Sequence, residues 1–310
     1  MPEIICAGIL VADMIGWPIQ RFPEYGRLEL VNNMELHTGG CAINTGMALR
    51  KLGVGVAVVG KVGQNGLGDF VVERLEEAGL NVSGVRRSQT CNTSATMVMV
   101  SDTGERSFLH YVGANADLRL DDFELKGFAD AKILHIGGAL VLPGLDGAPM
   151  ADLLRQAKDL GLTTSVDTVW DATGRWMSVL APCLPHTDVF LPSIEEARQL
   201  TCEQEPERVA EALLVRGVGI VALKMGEKGC LVANEKEAHH VPAVPVEAVD
   251  TTGAGDCFAA GFLVGTLRGW SLHRVARFAN AAGAACVTSV GASTGVKSFE
   301  ETLALIKDQV

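Results

Sequence analysis

Short apolar runs alternate with amphipathic stretches along most of this chain, and that alternation limits the fold more than any other feature. Residues 4–11 form a continuous apolar run that ends near Asp13, as expected of a strand buried on both faces. Residues 42–52 carry a helical pattern, with Ile43, Met47 and Leu52 apolar and Gly53 as the stop. A second buried strand is expected at 54–62, and an amphipathic helix closed by Gly79 at 67–78. Further strands at 132–136, 163–166, 189–191 and 220–224 alternate with helices at 150–160, 193–200 and 207–216. Three helices follow, at 254–268, 272–288 and 299–307. This order implies an α/β fold of three layers, a mostly parallel central sheet with helices on both faces.

Two stretches depart from the scheme. Residues 15–36 are polar and contain Pro18, Pro23 and Gly26, and residues 93–112 read as a hairpin, 95–100 with 107–112, around Asp102-Thr103-Gly104-Glu105. Both are expected to project from the sheet as a small β lid, over about 14–37 and 93–113. No linker, repeat or low-complexity tract divides the chain, so one domain, 1–310, with a lid is expected rather than two domains.

Composition narrows the function classes. Hydrophobic residues make up 48%, too many for a disordered chain. Twenty-six Lys and Arg against 37 Asp and Glu leave a net charge of −11, which argues against nucleic acid or an anionic membrane as partner. The best apolar run, 258–267, is broken by Gly261 and Gly265 and falls short of the ~18 residues of a bilayer span. The first residues lack the basic stretch of a secretion signal. The eight cysteines are irregularly spaced with no C-x-x-C, so buried thiols in a reducing cytoplasm are expected, not a zinc site or disulfides.

Several familiar motifs are missing. There is no G-x-x-x-x-G-K-[ST], and no G-x-G-x-x-G follows the first strand. Gly291-Ala292-Ser293-Thr294-Gly295 matches G-x-S-x-G in letters, but the last histidine, His273, precedes Ser293, against the order of an esterase triad. The informative run is Asp250-Thr251-Thr252-Gly253-Ala254-Gly255-Asp256-Cys257-Phe258, a polar turn that enters an Ala/Gly-rich helix. Helix-first amides are unpaired and sit at the positive end of the macrodipole, so such a turn suits a phosphate or a developing anion. Asp256 alone reads as a favourable first-turn acid; two glycines, two threonines and a second aspartate beside it need more explanation.

This run resembles the C-terminal signature D-T-x-G-A-G-D-x-F of the PfkB, or ribokinase-like, carbohydrate kinases. Residues 39–53, beginning Gly39-Gly40-Cys41-Ala42-Ile43-Asn44, resemble the family's N-terminal signature. Two motifs in the right order, about 200 residues apart, make chance agreement improbable. The resemblance implies a ribokinase-like fold and ATP-dependent phosphorylation of a hydroxyl, usually a sugar's primary alcohol. It implies that Asp256 is the catalytic base and that Gly253, Ala254, Gly255 and Asp256 form an anion hole. It also implies that Asp13, Gly39, Gly40 and Asn44 hold the sugar.

The resemblance extends to the nucleotide and ions. Lys224-Met225-Gly226-Glu227-Lys228-Gly229 is similar to the family's K-x-G-x-x-G run beside ATP, which implicates Lys224, Gly226 and Gly229, with Asn280 near the adenine; an ordinary strand-turn-strand connection would look the same. Glu196 matches the glutamate that positions Mg2+ through water, with Ser193 where the family carries Asn. Ser193 and Glu196 also make a capping box. Asp250, Thr252, Ser289 and Gly291 resemble positions that bind a monovalent cation such as K+ in ribokinases.

The acceptor stays open. Asp167-Thr168-Val169-Trp170-Asp171 keeps the first residue of the D-x-N-x-R pattern of many fructokinases and ketodeoxygluconate kinases, but not its Asn or Arg. Gly113-Ala114-Asn115 is similar to ribokinases, while His135-Ile136-Gly137-Gly138 stands where they carry a sugar-binding Glu. Arg27, Arg86, Arg87 and Arg106 are candidates for an anionic group on the substrate. A nucleoside kinase of the same fold, with Trp17 or Phe22 stacking on a base, is an alternative. A non-catalytic sugar- or nucleotide-binding regulator is a third reading. Homodimerisation through the lid is common in the family and would cover exposed strand edges.

Overall fold

A computed structural model describes residues 1–306. Its strands, in chain order, are β1 (Ile4–Gly8), β2 (Val11–Trp17), β3 (Asn33–Gly39), β4 (Val56–Gly63), β5 (Asn81–Ser88), β6 (Ala95–Val100), β7 (Arg106–Tyr111), β8 (Ile133–Ala139), β9 (Thr163–Thr168), β10 (Val189–Phe190), β11 (Ile220–Lys224), β12 (Cys230–Ala233) and β13 (Ala238–Val241). The helices are α1 (Cys41–Lys51), α2 (Gly66–Glu77), α3 (Ala148–Asp159), α4 (Met177–Leu180), α5 (Ile194–Thr201), α6 (Pro206–Leu214), α7 (Ala254–Leu267), α8 (Leu272–Val287) and α9 (Phe299–Ala304). The expected end of the last helix, Lys307, lies outside the described residues.

The large sheet runs β13-β12-β11-β10-β9-β8-β1-β4-β5, parallel except for the antiparallel β11-β12-β13 edge. Alternation along each strand supplies both cores. Ile5, Ala7, Leu134 and Ile136 face one side, packed with Leu153 of α3 and Leu213 of α6. Ile4, Cys6, Val56 and Val58 face the other, packed with Ile43 of α1, Leu263 of α7 and Phe278 of α8. Burial of both faces is why these strands read as unbroken apolar runs. Strand β1 pairs with β4 on one side and with β8 on the other. The chain leaves β1 in one direction and later returns on its opposite flank, so the carboxyl ends of β1 and β8 open a crevice of the kind that receives ligands in such sheets.

The small sheet, β3-β2-β6-β7, is the expected lid. Two expectations need correction. The apolar run 4–11 is not one strand: β1 ends at Gly8, and β2 starts at Val11 in the other sheet. Gly8 has φ +139°, a methyl on it would lie 2.9 Å from the Gly137 carbonyl carbon, and the buried Asn115 side chain clamps both Leu10 N–H and Leu10 C=O where the chain crosses. Asp13 is therefore a lid residue, not the end of the first strand. The stretch 15–36 is likewise not all irregular, since it supplies the end of β2 and much of β3.

Candidate active site

Helices α1 and α7 start at the crevice and pack against each other. Their first turns bring the two sequence signatures together. Asn44 Nδ2 donates to Asp256 Oδ2 at 2.8 Å, and Thr45 Oγ1 donates to the Asp256 carbonyl at 3.3 Å. Asp256 is only 9% exposed. Burial pushes its carboxyl above the ordinary range, opposed by the Asn44 hydrogen bond and the Lys224 charge. It is thus a carboxylate with raised basicity, oriented by a neutral donor.

Gly253 caps α7 with φ +76° and turns the helix start toward a cavity of about 640 Å³. Ala254 N–H returns to Thr251 C=O at 3.2 Å. Among the described residues, the amides of Gly255 and Asp256 have no acceptor outside the helix, and both precede the first intrahelical bond. Of the expected anion hole of Gly253, Ala254, Gly255 and Asp256, only the Ala254 amide has an acceptor among the described residues; the Gly253 amide, like those of Gly255 and Asp256, has none. Ala254, Gly255, Lys224, Gly226, Phe258 and Asn280 line the cavity, whose walls are mostly apolar.

Lys224 is not a free cation. Its Nζ bridges both carboxylate oxygens of Asp167, at 2.7 and 2.8 Å. Burial pushes Asp167 up to about 7 although Lys224 pulls it down. Burial also disfavours the ammonium, yet Asp167 and Glu196 hold Lys224 above its usual value. The two tendencies oppose each other, and the bidentate contact favours the charged pair. Cys41, expected from the sequence only as one of the buried thiols, also lies here: burial and the Asp256 and Asp167 charges push its thiol well up.

Other expected residues are occupied in ways the sequence did not reveal. A methyl on Gly39 would lie 2.8 Å from Asp13 Cγ, and one on Gly40 would lie 2.9 Å from the Ile9 carbonyl carbon, so both glycines make room for the chain's own atoms. Gly229 makes room for Pro242 and Ala243, whereas Gly226 has open space above it; the Lys224–Gly229 run is also a strand-turn-strand connection. Asn280 lines the cavity, but its amino group donates to the Val241 and Pro242 carbonyls, leaving its oxygen for a ligand. Ser193 and Glu196 form the capping box, and Glu196 Oε2 also accepts from Thr168 Oγ1 at 2.9 Å. Ser193 is committed to this cap; Glu196 Oε1 receives no hydrogen bond among the described residues. No group of three or more His, Cys, Asp or Glu side chains among the described residues is arranged to bind a metal. Mg2+ needs only one or two carboxylates when phosphates and water complete its shell, so Glu196 fits and Ser193 does not.

The lid adds residues that the sequence did not single out beside Asp13. His37, Asp13, Thr96 and His110 lie opposite one another across its four strands, forming one row on one face. Burial raises Asp13, offset by Thr96 and the two histidines, while burial lowers His110. Arg106, on the same face, reaches the turn before α7: its Nη2 lies 2.9 Å from Asp250 Oδ2, and its Nη1 donates to Thr252 Oγ1. Asp250 Oδ1 accepts from Thr252 N–H and Oδ2 from Gly291 N–H, both at 2.9 Å. Of the residues assigned to a monovalent cation, Asp250 and Thr252 therefore already have their side chains matched to a guanidinium, and Gly291 donates its N–H to Asp250. Arg86 and Arg87 pair with Glu124 and Asp69, and Arg27 is exposed.

A family model described as pfkB family carbohydrate kinase matches residues 1–298. The chain is 32% identical over 287 residues to a probable fructokinase-5 of Arabidopsis thaliana, covering 87% of this chain and 88% of the relative. It is similar to the crystal structure of a fructokinase with bound ATP from Xylella fastidiosa, with a TM-score of 0.84, 26% identity and coverage of 100% and 99% of the two chains. A putative ribokinase II from E. coli in complex with ATP and Mg2+ is likewise similar, with a TM-score of 0.84, 25% identity and coverage of 99% and 100%.

Proposed function

This chain belongs to the pfkB family of carbohydrate kinases, and from that premise we propose that it transfers the γ-phosphate of ATP to a primary hydroxyl of a sugar or sugar derivative, with Asp256 as the general base. The observation that carries this reading is the start of α7. A buried carboxylate held by Asn44 sits in the same turn as the two acceptor-free amides of Gly255 and Asp256, and Gly255 lines the cavity. A hydroxyl placed against Asp256 gives its proton to the carboxylate as its oxygen forms the bond to the γ-phosphorus, while the bond from that phosphorus to the β,γ-bridging oxygen breaks and ADP leaves with the electron pair. The two amides and the positive end of α7 then face the charge on the transferring group, with Lys224 beside Gly255. Removing one such donor costs about 10²–10³ in kcat in comparable sites.

The cavity takes the nucleotide: its apolar walls suit adenine, Asn280 offers an oxygen there, and Lys224 and Gly226 mark the phosphate end. Mg2+ bound to the phosphates would neutralise charge, and Glu196 is the residue that fits it, through water. Asp13 and its row take the sugar. One kinase domain with the four-stranded sheet as its lid is the organisation this requires. Closing that lid would exclude water from the transfer. The opposite lid face exposes Met14, Met97 and Leu109 in one row, and a second copy of this chain is the partner proposed for it. No helix among the described residues is long and apolar enough to cross a membrane.

The test is ATP consumption across neutral sugars, sugar acids and nucleosides, with wild type and Asp256→Asn. One sugar class should be phosphorylated, and Asp256→Asn should lose turnover while retaining sugar binding in a thermal-shift titration. Turnover by Asp256→Asn at the wild-type rate would remove Asp256 from its role. A nucleoside-only profile would replace the sugar reading.

A further inference from the structure

The contact between Arg106 and the turn before α7 joins two parts of the molecule that are far apart in sequence. Arg106 begins β7, the edge strand of the lid, and most of that strand is exposed. Asp250, by contrast, has a side chain only 3% exposed, and it organises the loop on either side of the anion hole. One oxygen holds Thr252 N–H and the other holds Gly291 N–H, so the carboxylate fixes the 250–253 turn against the segment that follows α8. Two backbone donors do not neutralise a buried carboxylate; a full positive charge is still needed. The guanidinium supplies it, in a fork that takes Asp250 Oδ2 with one nitrogen and Thr252 Oγ1 with the other.

We propose that Arg106 is a built-in cation that clasps the lid to the catalytic turn, so that the anion hole is completed by lid closure and needs no monovalent metal ion. Two consequences follow from the geometry. A K+ ion at Asp250 would share its carboxylate with the guanidinium and be repelled by it. And any motion that lifts β7 away withdraws the charge that holds the 250–253 turn, two residues before the acceptor-free amides. Arg106 is thus a positioning residue acting through Asp250 and Thr252. It is also removed from the candidates for recognising an anionic group on the substrate, because its nitrogens are committed to this chain.

The claim about turnover rests on the kinase reading above; the claim about cation binding does not. The cation claim is tested on the full-length protein without substrate, by thallium-205 NMR with Tl+ as the probe for K+. Wild type should not bind Tl+ at this loop. Arg106→Ala should bind it, and adding Asp250→Asn to Arg106→Ala should abolish that binding. Tl+ binding by wild type that Asp250→Asn removes would overturn the inference, as would no binding by a folded Arg106→Ala.

Turnover is compared in K+ and in tetramethylammonium. Wild type should turn over equally in both. Arg106→Ala should lose kcat in tetramethylammonium, between about tenfold and ~10²-fold for a turn displaced by about 1 Å, with KM for ATP little changed, and K+ should restore part of the loss. Arg106→Lys, which keeps a charge but not the fork, should retain more activity than Arg106→Ala without K+. Should Arg106→Ala not melt cooperatively, Arg106→Gln serves in both arms. A wild type activated about tenfold or more by K+, or an Arg106→Ala with wild-type kcat in tetramethylammonium, would refute the clasp. If wild type phosphorylates no acceptor, the kinase reading fails and the thallium experiment still decides the cation claim.

Discussion

Replacing Gly253 and Gly255 by Ala, two positions apart at the start of α7, should have opposite consequences for folding. Gly253 has φ +76°, and a methyl there would lie 2.6 Å from both the carbonyl carbon and the Cα of Ala292. Left-handed backbone costs an alanine about 1–2 kcal/mol before any overlap is relieved. The obstructing atoms are backbone, so relief means moving the 250–253 turn or the segment around Ala292. At about 2–4 °C per kcal/mol for a domain of somewhat smaller size, Gly253→Ala should melt several degrees below wild type. Displacing the Gly255 and Asp256 amides should cost about 10²–10³ in kcat. Gly255, within the helix, has no left-handed strain, and a methyl on it meets only the end of the Lys224 side chain, with Nζ at 3.2 Å. Gly255→Ala gains about 0.5–1 kcal/mol of helix preference. It should therefore melt no lower than wild type, while the shifted ammonium lowers kcat by about tenfold. Thermal melts and steady-state kinetics on the two purified variants read both quantities. Equal melting temperatures, or a Gly253→Ala with kcat within about threefold of wild type, would refute the steric argument and the anion-hole placement together.

Three further outcomes follow from named contacts. Asn44→Ala removes the donor that lowers the Asp256 pKa, so the acidic limb of the kcat–pH profile, already above the ordinary carboxylate range because of burial, should move further up; an unmoved limb would separate Asn44 from the base. Lys224→Met leaves Asp167 buried without its partner and without the charge that pulls its carboxyl down to about 7, so it should cost about 3–5 kcal/mol in denaturant melts at pH well above 7, with the cost shrinking as the pH falls and Asp167 takes up a proton, and Asp167→Leu in the same chain should recover much of it; equal stability of single and double variants at high pH would contradict a buried pair. Met97→Glu, in the exposed row on the outer lid face, should convert a dimer to a cooperatively folding monomer in sedimentation velocity, with a melting temperature that no longer rises with protein concentration, and a wild type that sediments as a monomer would dismiss the second copy.

What could be read in the sequence depended on whether the governing physics is local. Helix α7 and strand β11 fall within a residue or two of expectation because periodicity and punctuation are written in consecutive residues. The break between β1 and β2 was hidden, since burial in two successive sheets gives the same apolar run, and a glycine inside a strand signals close approach without saying to what. Strands β5 and β13 were missed because edge strands such as Asn81–Ser88 are half polar, while β12, only Cys230–Ala233, entered only as the far side of a strand-turn-strand alternative. In the site, Asp256, Gly253 and Asn44 were legible as motif positions. Their partners were not: no pattern states that Lys224 faces Asp167, or that a lid arginine meets Asp250. The His37-Asp13-Thr96-His110 row could have been found by extending the hairpin register across four strands, but that needs the order β3-β2-β6-β7, and the parallel β2-β6 pairing leaves no trace in the sequence.

These pairings change how the acidic net charge bears on nucleotide binding. Around the start of α7 the cations are Lys224 and Arg106, and the carboxylates are Asp167, Glu196, Asp256 and Asp250, so the charge is 2 − 4 = −2, or −1 with one proton on Asp167 or Asp256. Both cations are spoken for by Asp167 and Asp250. A polyphosphate entering this site meets a net negative charge, and two amides with a helix dipole of about half a charge do not reverse it. On the proposed kinase reading, a divalent ion would then be needed for binding as well as for the transfer. Two like charges about 4 Å apart at an effective dielectric of ~20 repel by about 4 kcal/mol, an upper figure for a site this open to water. Calorimetric titration of ATP should give a Kd at least about tenfold weaker with EDTA than with Mg2+, and Glu196→Gln, by removing one negative charge, should narrow that gap. Equal affinities with and without Mg2+ would mean that the amides and Lys224 hold the phosphates by themselves, and the charge count would have failed.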